Sequence, residues 1–383
     1  MTLALTPVPE LSMAWPIWVY GVLLAFLAIH VPLQVVWAAV VQRAAAGPVS
    51  VVPDKILPSV AVLVAARNEG HQLAETLRSL QQLDYPREKL TIWVGDDAST
   101  DDTAAVAERF VKLDRRFRLI RLPDGVGGGK QRVLAQLFEQ AEAAFYAITD
   151  ADVEVPPTWV KTLLTAFSDE QVGIASGPTT LKGAGAWAGL QRLDWLFGFG
   201  MIQVFKRLGG DLTGAGNNML VRHHAYWQTG GYSQLAFNLT EDYALMAAIK
   251  RANWRVAWVH HIGARNTTKA LPSLQAYLHQ RKRWFKGGVG GPWFGISYFS
   301  WQAFGGLWAV ATLLLFPPVW AAAAMLLKLL ADALLAARAV WAFHQKAPVG
   351  LLLLHSLYFQ AAMLLLPLYF LVPGKVRWKG RAY

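Results

Sequence analysis

The chain has 383 residues, no cysteine and a formal net charge of +11. Without cysteine, disulfides and thiolate metal sites are excluded. Hydrophobic residues make up 54% and tryptophans number 17, values set by long apolar stretches and fitting a membrane protein. The basic excess does not point to nucleic acid. The cations cluster beside apolar segments, as for contact with anionic lipid, and no nucleic-acid module is visible.

In chain order, residues 15–41 are apolar apart from His30 and Gln34. The stretch is too long for the core of a signal peptide and no basic segment precedes it, so it reads as a retained transmembrane helix. Pro48, Pro53 and Pro58 mark a linker. Residues 59–66 form a continuous apolar run, as a buried parallel strand does, and stop at Arg67-Asn68-Glu69-Gly70. Leu73, Leu77 and Leu80 then predict a helix. A second strand over 90–95 ends at Asp96-Asp97. The Ser99-to-Asp102 spacing predicts a helix start, with the helix over 103–111. A third strand over 117–121 leads through Gly127-Gly128-Gly129 to Lys130, and Val133, Leu134, Leu137 and Phe138 predict the following helix. Alternating strands and helices imply a doubly wound, mostly parallel α/β sheet.

The next strand, 145–150, runs into Asp150-Ala151-Asp152. Residues two apart in an extended segment point the same way, so both carboxylates are expected to face one site. Two hard oxygen ligands there suit Mg²⁺ or Mn²⁺, and strand carboxyl ends are where open α/β sheets bind ligands. Taken alone, the pattern equally describes a loop with two solvated aspartates. Residues 186–208 predict a helix at a membrane face or in a core. Glu241 and Asp242 open another, and 274–286 is basic and amphipathic. Three further apolar segments follow at 293–316, 319–343 and 349–372; the middle one carries Lys328, Asp332 and Arg338, the first two at a spacing that lets them pair.

Five motifs in order, Ala66-Arg67-Asn68-Glu69, Asp96 to Asp101, Asp150-Ala151-Asp152, Thr240-Glu241-Asp242 and Gln280-Arg281-Lys282-Arg283-Trp284, resemble the family 2 glycosyltransferases of GT-A fold. More narrowly they resemble the membrane branch with Q-x-x-R-W, which includes cellulose, hyaluronan and chitin-oligosaccharide synthases, and the related ceramide glucosyltransferases. The resemblance covers about residues 58–290. It implies a nucleotide-diphosphate sugar donor, a UDP-sugar foremost, and a Mg²⁺ or Mn²⁺ cofactor. Asp150 and Asp152 would hold the metal. Ala66, Glu69, Asp96, Asp97, Lys130 and Asp150 would line the nucleotide-sugar site. Glu69 is equally a helix-capping residue, and Lys130 equally a solvated lysine after a flexible turn. Asp242 would be the base for the acceptor hydroxyl, with Glu241 as fallback. Gln280, Arg283 and Trp284 would serve the diphosphate and the acceptor, or lie as a membrane-surface helix. Asn217 and Asn218 would bond sugar hydroxyls or close a turn.

The expected organisation is a transmembrane helix and linker (1–57), a catalytic domain (58–270), an amphipathic interface segment (271–292) and a C-terminal membrane region (293–383). The implied activity is inverting, metal-dependent sugar transfer to a lipid or saccharide hydroxyl. Repeated transfer with secretion is the alternative, and a non-catalytic membrane scaffold is the remote one. Arg43, Arg281, Lys282, Arg283 and Lys286 flank the domain side of the membrane segments, which places the domain in the cytoplasm of a bacterial inner-membrane protein. Three spans after residue 292 would put Lys375, Arg377, Lys379 and Arg381 outside, against that rule.

Overall fold

The computed structural model describes residues 17–44, 56–124, 128–287 and 292–371, with 377–378 and 381–382 as a short paired turn. Pro48, Pro53, Gly127, Lys375 and Lys379 lie outside the described residues.

Helix α1 (Ile17–Val40) comes first. The domain begins with β1 (Val60–Ala66), α2 (Gly70–Gln81), β2 (Leu90–Asp97), α3 (Thr103–Leu113), β3 (Phe117–Leu122), α4 (Gly129–Gln140) and β4 (Phe145–Asp150). It continues through β5 (Val153–Glu154), α5 (Trp159–Leu164), β6 (Val172–Ser176), β7 (Thr179–Lys182), α6 (Gly185–Arg207) and β8 (Met219–Arg222). Then come α7 (His223–Gln228), α8 (Gly231–Gln234), α9 (Glu241–Arg251), β9 (Arg255–Trp258), β10 (Asn266–Lys269) and α10 (Leu274–Gly287). Three long helices follow: α11 (Trp293–Leu315), α12 (Pro318–Ala342) and α13 (Val349–Leu371).

The main sheet has the order β3-β2-β1-β4-β8-β6-β9. Strands β1 to β4 are mutually parallel, while β8 runs antiparallel to both β4 and β6. Strand alternation splits β1 between two cores. Val60, Val62 and Val64 pack with Leu73, Leu77 and Leu80 of α2, whereas Ala61 and Leu63 pack with Val133, Leu134 and Leu137 of α4. Helices on both faces are what make the continuous apolar run of β1 necessary. A second sheet, β5-β10-β7, lies over the carboxyl end of β4.

Strand β2 runs to Asp97, so Asp96 and Asp97 end it as expected. One local expectation changes. Ser99 does not cap α3. Instead Asp101 Oδ1 accepts the Thr103 N–H at 3.0 Å, and the Ser99 hydroxyl accepts from the Asn68 N–H at 3.0 Å.

Of the four apolar segments, α1, α12 and α13 are long and apolar enough to cross a membrane. The fourth, α11, lies along α1: Trp301 Nε1 donates to His30 Nδ1 at 3.3 Å and Trp308 Nε1 to the Leu23 carbonyl at 2.7 Å. A buried polar chain ties the four together. Asp332 of α12 meets His30 of α1 at 2.7 Å and Lys328 one turn earlier at 2.6 Å. Lys328 also bonds Gln360 of α13, whose amide donates to the Gln302 carbonyl of α11 at 3.0 Å. Lys328 and Asp332 thus pair as their spacing allows. Helix α6 packs between this bundle and the domain: Gly200 meets Ala339 and Val41, and Gly189 meets Leu351.

Candidate active site

Register brings the sequence motifs to one edge. Ala66 aligns with Asp96, and Ala65 with both Gly95 and Asp150, so β1, β2 and β4 end together. Because β8 is antiparallel, its first residue, Met219, aligns with Ile148 near the end of β4. The segment 214–218 that feeds β8 therefore arrives at the same edge. This is the crevice in which open α/β sheets bind ligands.

At that edge Lys130, from the first turn of α4, lies between two carboxylates. Its Nζ is 2.5 Å from Asp150 Oδ1 and 2.7 Å from Glu241 Oε1. Lys130 is therefore not a solvated lysine. Burial works against its charge, but Asp150 and Glu241 outweigh burial and hold its pKa well above the usual lysine value. Burial pushes Glu241 above the ordinary carboxylate range, Lys130 opposes that rise, and Asp242 adds to it. Asp242 faces the incoming segment: Oδ2 accepts the Gly216 N–H and Oδ1 the Tyr243 N–H, both at 2.8 Å. A Cβ at Gly216 would fall 2.9 Å from that of Asp242, so glycine is needed for the approach.

Strand β4 stops at Asp150, and Asp152 sits in the turn before β5 rather than on an extended strand. The turn is fixed by Thr268, whose hydroxyl donates to the Asp152 carbonyl at 3.1 Å. Among the described residues no group of three or more acidic or histidine side chains is placed to hold a metal. Mg²⁺ and Mn²⁺ commonly take only one or two protein carboxylates and complete their shell with phosphate oxygens and water. The Asp150 side chain, 36% exposed, is open to a site of that kind, and Asp152 follows two residues on.

Asp96 and Asp97 are almost fully buried at the end of β2. Asp96 accepts the Ser99 N–H at 3.3 Å, and Asp97 is held by Arg132 at 2.7 Å. Arg67 donates to the carbonyls of Asp97 and Ala98. Asn68 and Ala98 both adopt left-handed backbone, φ 52° and 51°, and the two loops are stitched by Asn68 Oδ1 accepting the Thr100 N–H at 2.9 Å. Such conformations in residues other than glycine are costly and cluster at ligand sites. Glu69 occupies the N-cap position of α2 but makes no capping bond through its side chain. The Arg132–Asp97 pair was not anticipated: no local pattern links residues 35 apart in sequence.

Asn217 and Asn218 are framework residues. Asn218 is fully buried, accepting from Trp159 Nε1 at 2.8 Å and donating to the Pro178 and Ala264 carbonyls at 2.7 and 2.8 Å. Asn217 Oδ1 accepts from Thr179 at 3.1 Å, and its carbonyl accepts from Thr149 at 3.0 Å. These bonds shape the turn that leads into β8.

Helix α10 carries Gln280, Arg283 and Trp284, all half-buried. Its last residue, Gly287, presses on Thr240: a Cβ there would lie 2.8 Å from the Thr240 backbone nitrogen. The end of α10 and the start of α9 are thereby locked together. Arg281 pairs with Asp194 of α6. Its guanidinium lies 4.5 Å over the Trp284 ring, which meets Trp195 edge-on at 5.6 Å. Trp284 is thus packed on α6, with one ring face under Arg281.

Residues 58–287 match the family model described as glycosyltransferase like family 2. A beta-monoglucosyldiacylglycerol synthase of Nostoc sp. is 27% identical over 61% of this chain and 49% of its own length. An N-acetylglucosaminyltransferase of Rhizobium leguminosarum bv. viciae is 30% identical over 60% of this chain and 55% of its own. The hyaluronan synthase of Streptococcus pyogenes is 23% identical over 59% and 56%. The chain thus spans about half the length of these relatives. The mannosyltransferase PcManGT from Pyrobaculum calidifontis, solved with GDP-Man and Mn²⁺, covers 93% of this chain and 97% of its own at a TM-score of 0.53 and 18% identity, a likeness of fold.

Proposed function

The chain belongs to glycosyltransferase family 2, and from that premise we propose that it transfers a sugar, with inversion, from a nucleotide-diphosphate sugar to a lipid or saccharide hydroxyl at a membrane surface. The observation that carries this reading is the Lys130–Asp150–Glu241 cluster beside Asp242 at the sheet's carboxyl edge. Asp96 and Asp97 would accept from the nucleoside. Asp150 and Asp152 would hold Mg²⁺ or Mn²⁺, which supplies positive charge against the leaving diphosphate. Lys130 and Arg283 are the protein's own cations for that charge. The acceptor oxygen bonds to the anomeric carbon, the carbon–oxygen bond to diphosphate breaks, and Asp242 takes the hydroxyl proton. Asp242 is preferred over Glu241 because Glu241 is committed to Lys130.

A lipid acceptor is favoured by the three helices able to cross a membrane and by the glycolipid synthase among the relatives. The test is to supply purified protein with Mn²⁺, a panel of UDP-sugars and GDP-mannose, and membrane lipid extract, and to weigh the products. A lipid one hexose heavier is expected. A ladder of heavier products would replace single transfer by repeated transfer, and no turnover with any donor would overturn the enzymatic reading.

The basic residues flanking the domain favour a cytoplasmic active site. Since α11 lies along α1, four crossings are proposed, which puts the C-terminus outside despite its basic residues. The chain lacks cysteine, so single introduced cysteines report cleanly. In intact cells an impermeant thiol reagent should spare Ser168→Cys and label Tyr383→Cys. Labelling at 168 would reverse the orientation; protection at 383 would remove one crossing.

A further inference from the structure

A second cavity, of about 710 Å³, lies away from the catalytic edge. Ligand pockets commonly measure about 300–1,000 Å³. Its wall includes Val172, the first residue of β6, whereas the last, Ser176, aligns with Met219 at the catalytic end. The cavity is therefore displaced along β6 toward the opposite edge of the sheet. It runs beside β9, the outermost strand, and the last turn of α6. Gln42, two residues beyond the end of α1, also lines it. Because α1 is long and apolar enough to cross a membrane, a bilayer crossed by α1 would border this wall.

Three buried polar atoms in this wall lack hydrogen-bond partners: Gln203 Nε2, Trp258 Nε1 and His260 Nδ1. Gln203 is 5% exposed, and its other amide atom, Oε1, accepts the Gln42 N–H at 2.9 Å, which leaves Nε2 as a donor. Trp258 Nε1 can only donate. Buried polar atoms without partners are rare in folded proteins, and three in one open wall suit a bound polar group.

The charge in the wall is also lopsided, with four cations against two carboxylates. Lys206 and Lys250 share Asp211, each at 2.6 Å, and Arg255 pairs with Asp169 at 2.9 Å. Arg207 makes no ion pair among the described residues. Burial, with Arg207 nearby, lowers His260 to about 4, so its ring is neutral at neutral pH. The occupant therefore meets amide and indole donors and one uncommitted guanidinium, a set that suits a phosphate oxygen acceptor.

We propose that this cavity binds the phosphate of an anionic lipid headgroup, held by Arg207, Gln203 and Trp258. The site is separate from the sugar-transfer centre and stands or falls without it.

Full-length protein in neutral detergent, titrated with dioleoyl phosphatidylglycerol and examined by native mass spectrometry, tests this. Phosphatidylglycerol should be retained in preference to dioleoyl phosphatidylcholine. Arg207→Gln, which removes the charge, and Trp258→Phe, which keeps a ring but removes the donor, should each weaken retention, the former at least about tenfold. Retention of both lipids alike, or wild-type retention of phosphatidylglycerol by both variants, overturns the site. Displacement of the lipid by an equal concentration of inorganic phosphate overturns its lipid character. Neither variant touches the catalytic edge, so normal sugar transfer by both checks that they are folded.

Discussion

Asp242→Asn is expected to slow transfer by about two to four orders of magnitude, the usual contribution of a general base, while nucleotide-sugar titration gives the wild-type affinity. The separation follows from geometry. Asp242 is fixed by the backbone N–H groups of Gly216 and Tyr243. Asparagine can accept both bonds through its amide oxygen only by giving up one of the two present positions, so Asp242→Glu serves as the second variant that restores a carboxylate. Asp242 pairs with none of the cations assigned to the donor, so donor binding should not depend on it. Glu241→Gln should behave differently, since Lys130 loses one of its two carboxylates. Donor affinity should then shift together with rate. If Asp242→Asn transfers at near wild-type rate while Glu241→Gln is dead, the base belongs on Glu241. If both remain active, the acidic pair only opens α9.

Asp152→Asn should lower Mn²⁺- or Mg²⁺-supported turnover by about two to three orders of magnitude, as when a single electrostatic contact to the reacting group is removed. It is a cleaner probe than Asp150→Asn, which would also strip a carboxylate from Lys130. Asp152 lies in a turn whose backbone is held by Thr268 and by the β5–β10 ladder, so an isosteric change should leave the melting temperature unaltered. The expected signature is loss of the difference between turnover with Mn²⁺ and with chelator. Wild-type turnover by the variant in chelator would show that this pair of aspartates holds no catalytic metal.

The parts legible in the sequence are those governed by short-range periodicity. The runs over β1, β2 and β4 are continuous because helices cover both faces, and Leu73, Leu77 and Leu80 share one helical face. Strands β7, β8 and β9, of four residues each, are too short for either period to show. Helix α6 was ambiguous between membrane face and core because its surroundings differ along its length: Gly189 packs on α13, Gly200 on α12 and α1, and Phe199 near Trp258 of the domain. In the site, residue types pointed to the chemistry but pairings were hidden. Lys130 and Glu241 sit on separate helices, α4 and α9, and no local period in the sequence joins them. Asn218 looked available because a polar side chain in a glycine-rich turn gives no sign that Trp159, Pro178 and Ala264 already use it.

The polar chain His30–Asp332–Lys328–Gln360 bears on how the protein is made. Each charged residue at the centre of a spanning helix costs about 2.5–3.5 kcal/mol on insertion, so α12 enters a bilayer poorly by itself. Lys328 and Asp332 neutralise one another within a turn, His30 and Gln360 supply their remaining partners from helices synthesised before and after it, and Arg338 donates to the Ala38 and Val41 carbonyls. Helix α1 is translated about three hundred residues ahead of Asp332, and its His30 is buried on the face that α12 covers. The first helix thus works as a built-in receptor for a late and otherwise reluctant one. Insertion of the C-terminal helices would then be cooperative, completed after residues 58–287 have been synthesised.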